Sequence, residues 1–241
     1  MFTECQDITV HATSFAHQGG PVFYASLPGD GETGTGCGAS RAVDQKRLVT
    51  ALCNHVGAMD NPRWLYRHLF DRATSPIQVA HGPLGSPQLW LGAVRGPAVS
   101  FSEGGGKIWA ALCGDGSDIG IDVAADGEFQ GNYPLHRVFH DQELHHAGRL
   151  TGGDLAKAAA LLWSIKEAVV KALGCAFHLV APRQVHVFPS RGGGWGYTFP
   201  VRLLGKALMR YPLGGHRSIW VRSYPLEGMW LSIALVHGQS Q

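Results

Sequence analysis

The segment from Asp154 to Gly174 constrains the fold most, because it reads as a helix with a defined start and a defined end. Asp154 suits the N-cap and Gly174 the C′ position, with about five turns between them. Leu155, Ala159, Leu162, Trp163, Val169, Val170 and Leu173 recur at helical spacing and predict a buried stripe. Lys166, Glu167 and Lys171 stand out against it. Glu167 and Lys171 are four apart and leave the helix on one face. There a carboxylate can hold a cation while the ammonium approaches the same anion, or the two can form an ordinary solvated salt bridge.

Upstream, Ile119, Gly120, Ile121 and Val123 form an apolar run between Gly116-Ser117-Asp118 and Ala124-Ala125-Asp126-Gly127, and predict a buried strand. Asp122 falls within it. A carboxylate there needs a metal, a cation or several donors, unless it caps the following turn.

Gly120-Ile121-Asp122, followed roughly forty residues later by Trp163-Ser164-Ile165-Lys166-Glu167 and Lys171, resembles the surfactin-type 4′-phosphopantetheinyl transferases. The resemblance is detailed from Gly85 to Gly174. It implies an α+β fold of two similar lobes related by a pseudo-twofold, with coenzyme A and Mg²⁺ in the cleft between them. Asp122 and Glu167 match the metal-ligand positions, which suits an ion that takes one or two carboxylates plus phosphates and waters. Lys171 matches the lysine that contacts the coenzyme A phosphates and assists the leaving group. Lys166 lies next to the metal-binding Glu. Arg137 to Leu144 resembles a segment whose Glu, here Glu143, is the candidate general base. The implied reaction moves phosphopantetheine onto a serine of an acyl or peptidyl carrier protein.

Four positions depart from that pattern. Ala124 stands where a second acidic ligand is usual, Glu103 where a histidine is, Ser86 where a lysine is, and Ala176 where a glycine is. Ser102 is retained. Arg41, Lys46, Arg47 and Arg72 are candidates to replace the lost cations, so Ser102, Lys166, Lys171, Arg41 and Arg47 form the expected coenzyme A contacts. The alternatives are a catalytically weak relative that binds a carrier or a coenzyme A derivative without transfer, and a binding or structural α+β domain.

At 241 residues and 45% hydrophobic, the chain can bury one large core or two small ones. The expected division is a lobe of residues 1–115 and a second of residues 116–241, meeting near Gly114 to Ser117. A net charge of +2 gives no argument for nucleic acid and leaves room for a local basic surface facing an acidic partner. The cysteines are odd in number, with no Cys-x-x-Cys, which fits reduced thiols in the cytoplasm. No basic leader or membrane-length apolar run is present in the sequence, so a monomer acting without a membrane is expected.

His136, His140, His145 and His146 read as a polar face rather than a zinc site. Gly29 to Gly38 reads as a loop without the Gly-Lys-Ser/Thr ending of a nucleotide cradle. Helices are expected over Asp44–Ala58 and Asn61–Phe70, and strands within 197–208 and 217–236.

Overall fold

The computed structural model describes residues 8–15, 18–29, 38–58, 76–114, 116–131, 133–191, 195–212 and 219–236. The first elements in chain order are β1 (Val10–Phe15), β2 (Gln18–Pro28), α1 (Gly38–Gly57), β3 (Ile77–His81), β4 (Pro87–Leu91), β5 (Val94–Arg95), β6 (Ala98–Gly104), β7 (Lys107–Cys113) and β8 (Asp118–Ala125). They are followed by α2 (Asp141–Leu150), α3 (Leu155–Ala172), β9 (Val185–Val187), β10 (Tyr197–Leu203), α4 (Gly205–Arg210), β11 (Ile219–Leu226) and β12 (Met229–Val236). The fold is α+β, as expected. One sheet has the order β1-β2-β7-β6, a second β8-β12-β11-β10-β9, and a small third β3-β4-β5. A pseudo-twofold remains what the resemblance implies.

The helix read from Asp154 to Gly174 is α3. Asp154 caps it by accepting from the Lys157 N–H at 3.1 Å. Its other end is a Schellman motif: Cys175 N–H reaches the Val170 carbonyl at 3.1 Å, Gly174 N–H reaches that of Lys171 at 2.9 Å, and Gly174 takes φ +69°. The expected stripe was too narrow. Leu155 is exposed, whereas Ala158, Leu161, Ser164, Ile165 and Lys166 are all buried, because α2 and the second sheet cover opposite sides of the helix.

Gly120 explains how closely α3 lies on β8. A Cβ there would stand 1.8 Å from the Ala168 carbonyl oxygen and 2.7 Å from the Ala172 nitrogen, so only glycine admits this helix at this height. Side chains alternate along β8. Ile119, Ile121 and Val123 face Tyr24, Trp109 and Leu231 in one core cluster, while Ala124 joins α3 in another.

The first two sheets meet where β6 lies beside β8, and serine hydroxyls make the join. Ile121 N–H donates to Ser100 Oγ at 3.1 Å, and Val123 N–H to Ser102 Oγ at 3.2 Å. These side chains satisfy two buried backbone donors that no neighbouring strand reaches on that edge.

Other expectations needed adjustment. The first helix begins at Gly38, not Asp44, and Asp44 lies inside it, paired with Arg47. The strand read over 197–208 ends at Leu203, after which Gly205–Arg210 is helical. The expected helix Asn61–Phe70, Arg72 and most of the Gly29–Gly38 loop lie outside the described residues. Among the described residues no helix is long and apolar enough to cross a membrane.

Candidate functional site

Gly120 and Asp122 are two apart on β8 and so share its α3 face, and the close approach at Gly120 delivers Lys171 to Asp122. The Lys171 ammonium donates to Asp122 Oδ1 at 2.6 Å, to the Ile121 carbonyl at 3.2 Å and to Ser102 Oγ at 3.3 Å. Ser102 completes the cluster by donating to Asp122 Oδ1 at 3.0 Å. Asp122 is 6% exposed, so these donors are what keep an ionised carboxylate acceptable there.

Glu167, one turn before Lys171, is partly buried. Its carboxyl is raised from the ordinary 4.5 to about 6, first by burial, then by the charge of Asp122; Lys171 opposes the shift and Glu128 adds to it. Glu128, in the turn that follows β8, is raised as well, by burial and by Asp122. Three carboxylates therefore repel one another around a single lysine. The sequence reading missed Glu128, whose only signal was an acid in the turn just past the buried strand. It brings a carboxylate back to a site that lacks one at Ala124, itself packed at 2% exposure in the core.

This donor set fits a divalent cation. Crowded carboxylates with raised pKa values gain from such an ion, and Mg²⁺ leaves most of its shell to phosphates and waters. Among the described residues no three His, Cys, Asp or Glu side chains stand close enough to ligate an ion by themselves, so non-protein oxygens would have to complete the shell.

Two cavities open beside Lys171. One, of about 390 Å³, is lined by Gln88, Arg95, Val99, Asp118, Ile119 and Leu173 among others. The second, of about 220 Å³, is lined by Arg41, Gln45, His81, Phe101, Cys175 and Ala176 among others. Ser86, Pro87, Lys171 and Gly174 border both. Ala176 takes φ +47°, so the position where the resemblance has glycine keeps a left-handed backbone without one.

Two of the expected site residues are deeply buried. Glu143 is 1% exposed and both its oxygens are committed. Oε2 accepts from His140 N–H at 2.8 Å and from Lys166 Nζ at 3.0 Å, and Oε1 accepts from Val187 N–H at 2.8 Å. It caps α2 and ties that helix to α3 and β9. Lys166 spends its donors on Glu143 and on the Pro182 and Val185 carbonyls, at 3.0 and 2.7 Å, and is fully buried. Burial pushes its ammonium below the usual lysine range against the pull of Glu143.

The candidate cations separate. Arg41 borders the smaller cavity and pairs with Glu103 at 2.7 Å, which turns the substituted carboxylate onto an arginine. Arg47 does not line either cavity. Six helical residues carry it about 240° around α1 from Arg41, and it pairs with Asp44 at 3.2 Å. Lys46 is exposed on the same helix.

The geometry so far defines an α+β protein in which a lysine bordering two cavities is paired with a carboxylate of an acidic cluster. Residues 118–213 match the family model of the 4′-phosphopantetheinyl transferase superfamily. The surfactin-type branch is not singled out. Among solved structures, the chain is similar to the Chronobacterium ammoniagenes ACPS-CoA complex at 20% identity and a TM-score of 0.42, over 51% of this chain and 98% of that one. It is similar to the apo-ACPS structure from the same source at 20% identity and a TM-score of 0.39, over 50% and 95%. No curated protein matches the chain.

Proposed function

We propose that the protein is a Mg²⁺-dependent 4′-phosphopantetheinyl transferase, of the holo-acyl-carrier-protein synthase type, acting on a serine of an acyl or peptidyl carrier protein. The observation that carries this reading is the Asp122–Lys171 pair, inside the segment that matches the superfamily, with Lys171 bordering two cavities. In the reaction the serine oxygen bonds to the β-phosphorus of coenzyme A, its proton passes to solvent, and the bond to the departing 3′,5′-ADP breaks. Asp122 and Glu167 would hold the metal ion, with non-protein oxygens completing its shell, and the ion would supply Lewis-acid stabilisation of the phosphoryl oxygens. Lys171 donates to the phosphates and offsets charge on the departing group. Arg41, when released from Glu103, meets the 3′-phosphoadenosine end. The division into lobes of residues 1–115 and 116–241, a monomeric state and a cytoplasmic setting belong to the same proposal.

The test incubates the protein with an apo carrier, coenzyme A and Mg²⁺ and measures intact mass. Wild type adds one phosphopantetheine to the carrier. Asp122→Ala and Lys171→Ala lose at least about a hundredfold in rate, as expected for groups acting on developing charge. A carrier left unmodified by wild type defeats the reading. Carrier binding without any gain in mass would instead favour a relative that binds without transfer.

A further inference from the structure

Between Glu167 and Glu227 the chain contains no Asp or Glu, while eight lysines and arginines occur from Lys171 to Arg222. The net charge of +2 hides this segregation. It bears on the second sheet, where β9, β10 and β11 hold no acid at all. One face of these strands sends Phe199 and Val201 into the core beneath α3. On the opposite face, Leu231, Ile233 and Leu235 of β12 are covered by the first sheet. That cover reaches Arg222, whose Nη1 donates to the Ser14 carbonyl of β1 at 2.6 Å. Beyond it Trp220, Thr198, Pro200 and Phe188 are partly exposed, and Arg191 and Arg202 are exposed.

Rings and arginines alternate along this open face. Arg202 lies opposite His186, Pro200 opposite Trp220, and Thr198 opposite Arg222. The edge strand continues past β9, since Phe188 N–H donates to the Pro200 carbonyl at 3.0 Å and Arg191 N–H to that of Thr198 at 2.8 Å. Each arginine rests on a ring of the next row. The guanidinium of Arg202 is 5.2 Å from the centre of Phe188, that of Arg191 5.5 Å from Trp220, and that of Arg222 5.5 Å from Tyr224. Trp195 ends the series over Tyr224, with ring centres 5.4 Å apart, and is itself 71% exposed. Gly196 permits that approach, because a Cβ there would stand 2.8 Å from the Tyr224 ring.

We propose that this face binds a single-stranded nucleic acid. A guanidinium laid on a ring is already ordered, keeps its outer plane for a base and turns its edge N–H groups toward phosphates. Rows of rings and cations match a strand whose flat bases and charged phosphates also alternate, and the acid-free field draws it in. An acidic protein helix would need a continuous apolar ridge, which the arginines interrupt. A duplex keeps its bases stacked away from such a platform. The face lies across the sheet from Asp122 and Lys171, so the proposal does not rest on the transferase reading.

The probes are fluorescein-labelled oligouridylate and oligothymidylate of about twelve nucleotides, titrated with the full chain by anisotropy. Both bind wild type, more tightly than a duplex of the same length, and salt weakens the binding. Arg191→Gln and Arg202→Gln each weaken it about fivefold and reduce the slope of log affinity against log salt by about 0.7, the loss of one phosphate contact. Trp195→Ala weakens it about tenfold and leaves that slope unchanged, as loss of a stacked base requires. All three side chains are exposed, and thermal melts confirm that the variants fold. Absence of binding at about 50 mM salt, or affinities unchanged in the three variants, overturns the proposal. So does equal competition by polyglutamate, which would mark an acidic protein as the occupant, or sedimentation showing that these residues join two copies of the chain.

Discussion

Glu167 shows how a site built for a cation is stressed without one. Its carboxyl is raised to about 6, and a raised acid contributes stability that is fully present below its unfolded value and is lost as pH rises through the folded one. The window therefore runs from about pH 4.5 to above pH 6. In metal-free protein, Glu167→Gln should raise the melting temperature at pH 7.5 and leave it unchanged at pH 4.5. Equal melting temperatures for the two proteins at both pH values would show that Glu167 does not feel Asp122 and Glu128. Glu143, by contrast, has its two oxygens matched to donors from three directions and holds structure together.

At the scale of elements, the contact between β8 and α3 decides whether a site exists. Gly120→Ala pushes a methyl group into the Ala168 carbonyl, and the helix must lift or the strand must bend. The expected cost is about 3 kcal/mol in denaturant unfolding, at the upper end for overpacking, with transfer activity lost as well. The limits of α3 were legible because its caps are local, Asp154 at one end and Gly174 at the other. Its buried face was not. Ser164 is buried because it bonds Ser232 Oγ at 2.7 Å, and Lys166 because it meets Glu143, and neither partner is near it in sequence. Gly205 to Leu208 was read as strand because the alternation of Val201, Arg202 and Leu203 continues a strand pattern, and Ala207 turns inward only once the helix after Leu204 is known. Glu128 joins Asp122 through a turn, a convergence that no fixed spacing announces.

Across the whole molecule, two sheets are joined by side chains where a continuous ladder would have used backbone. Ser100→Ala should leave the Ile121 N–H without a partner and cost about 1–3 kcal/mol in unfolding free energy. A loss within experimental error would mean that water replaces the hydroxyl. Ser102 differs from Ser100 in also touching Asp122 and Lys171, so it belongs to the join and to the cluster at once. Any shear between the sheets is thereby transmitted straight to the charged groups. A ligand that tightened around Lys171 would act like a clasp fastened across both halves, and protease resistance around β6 would report that it had closed.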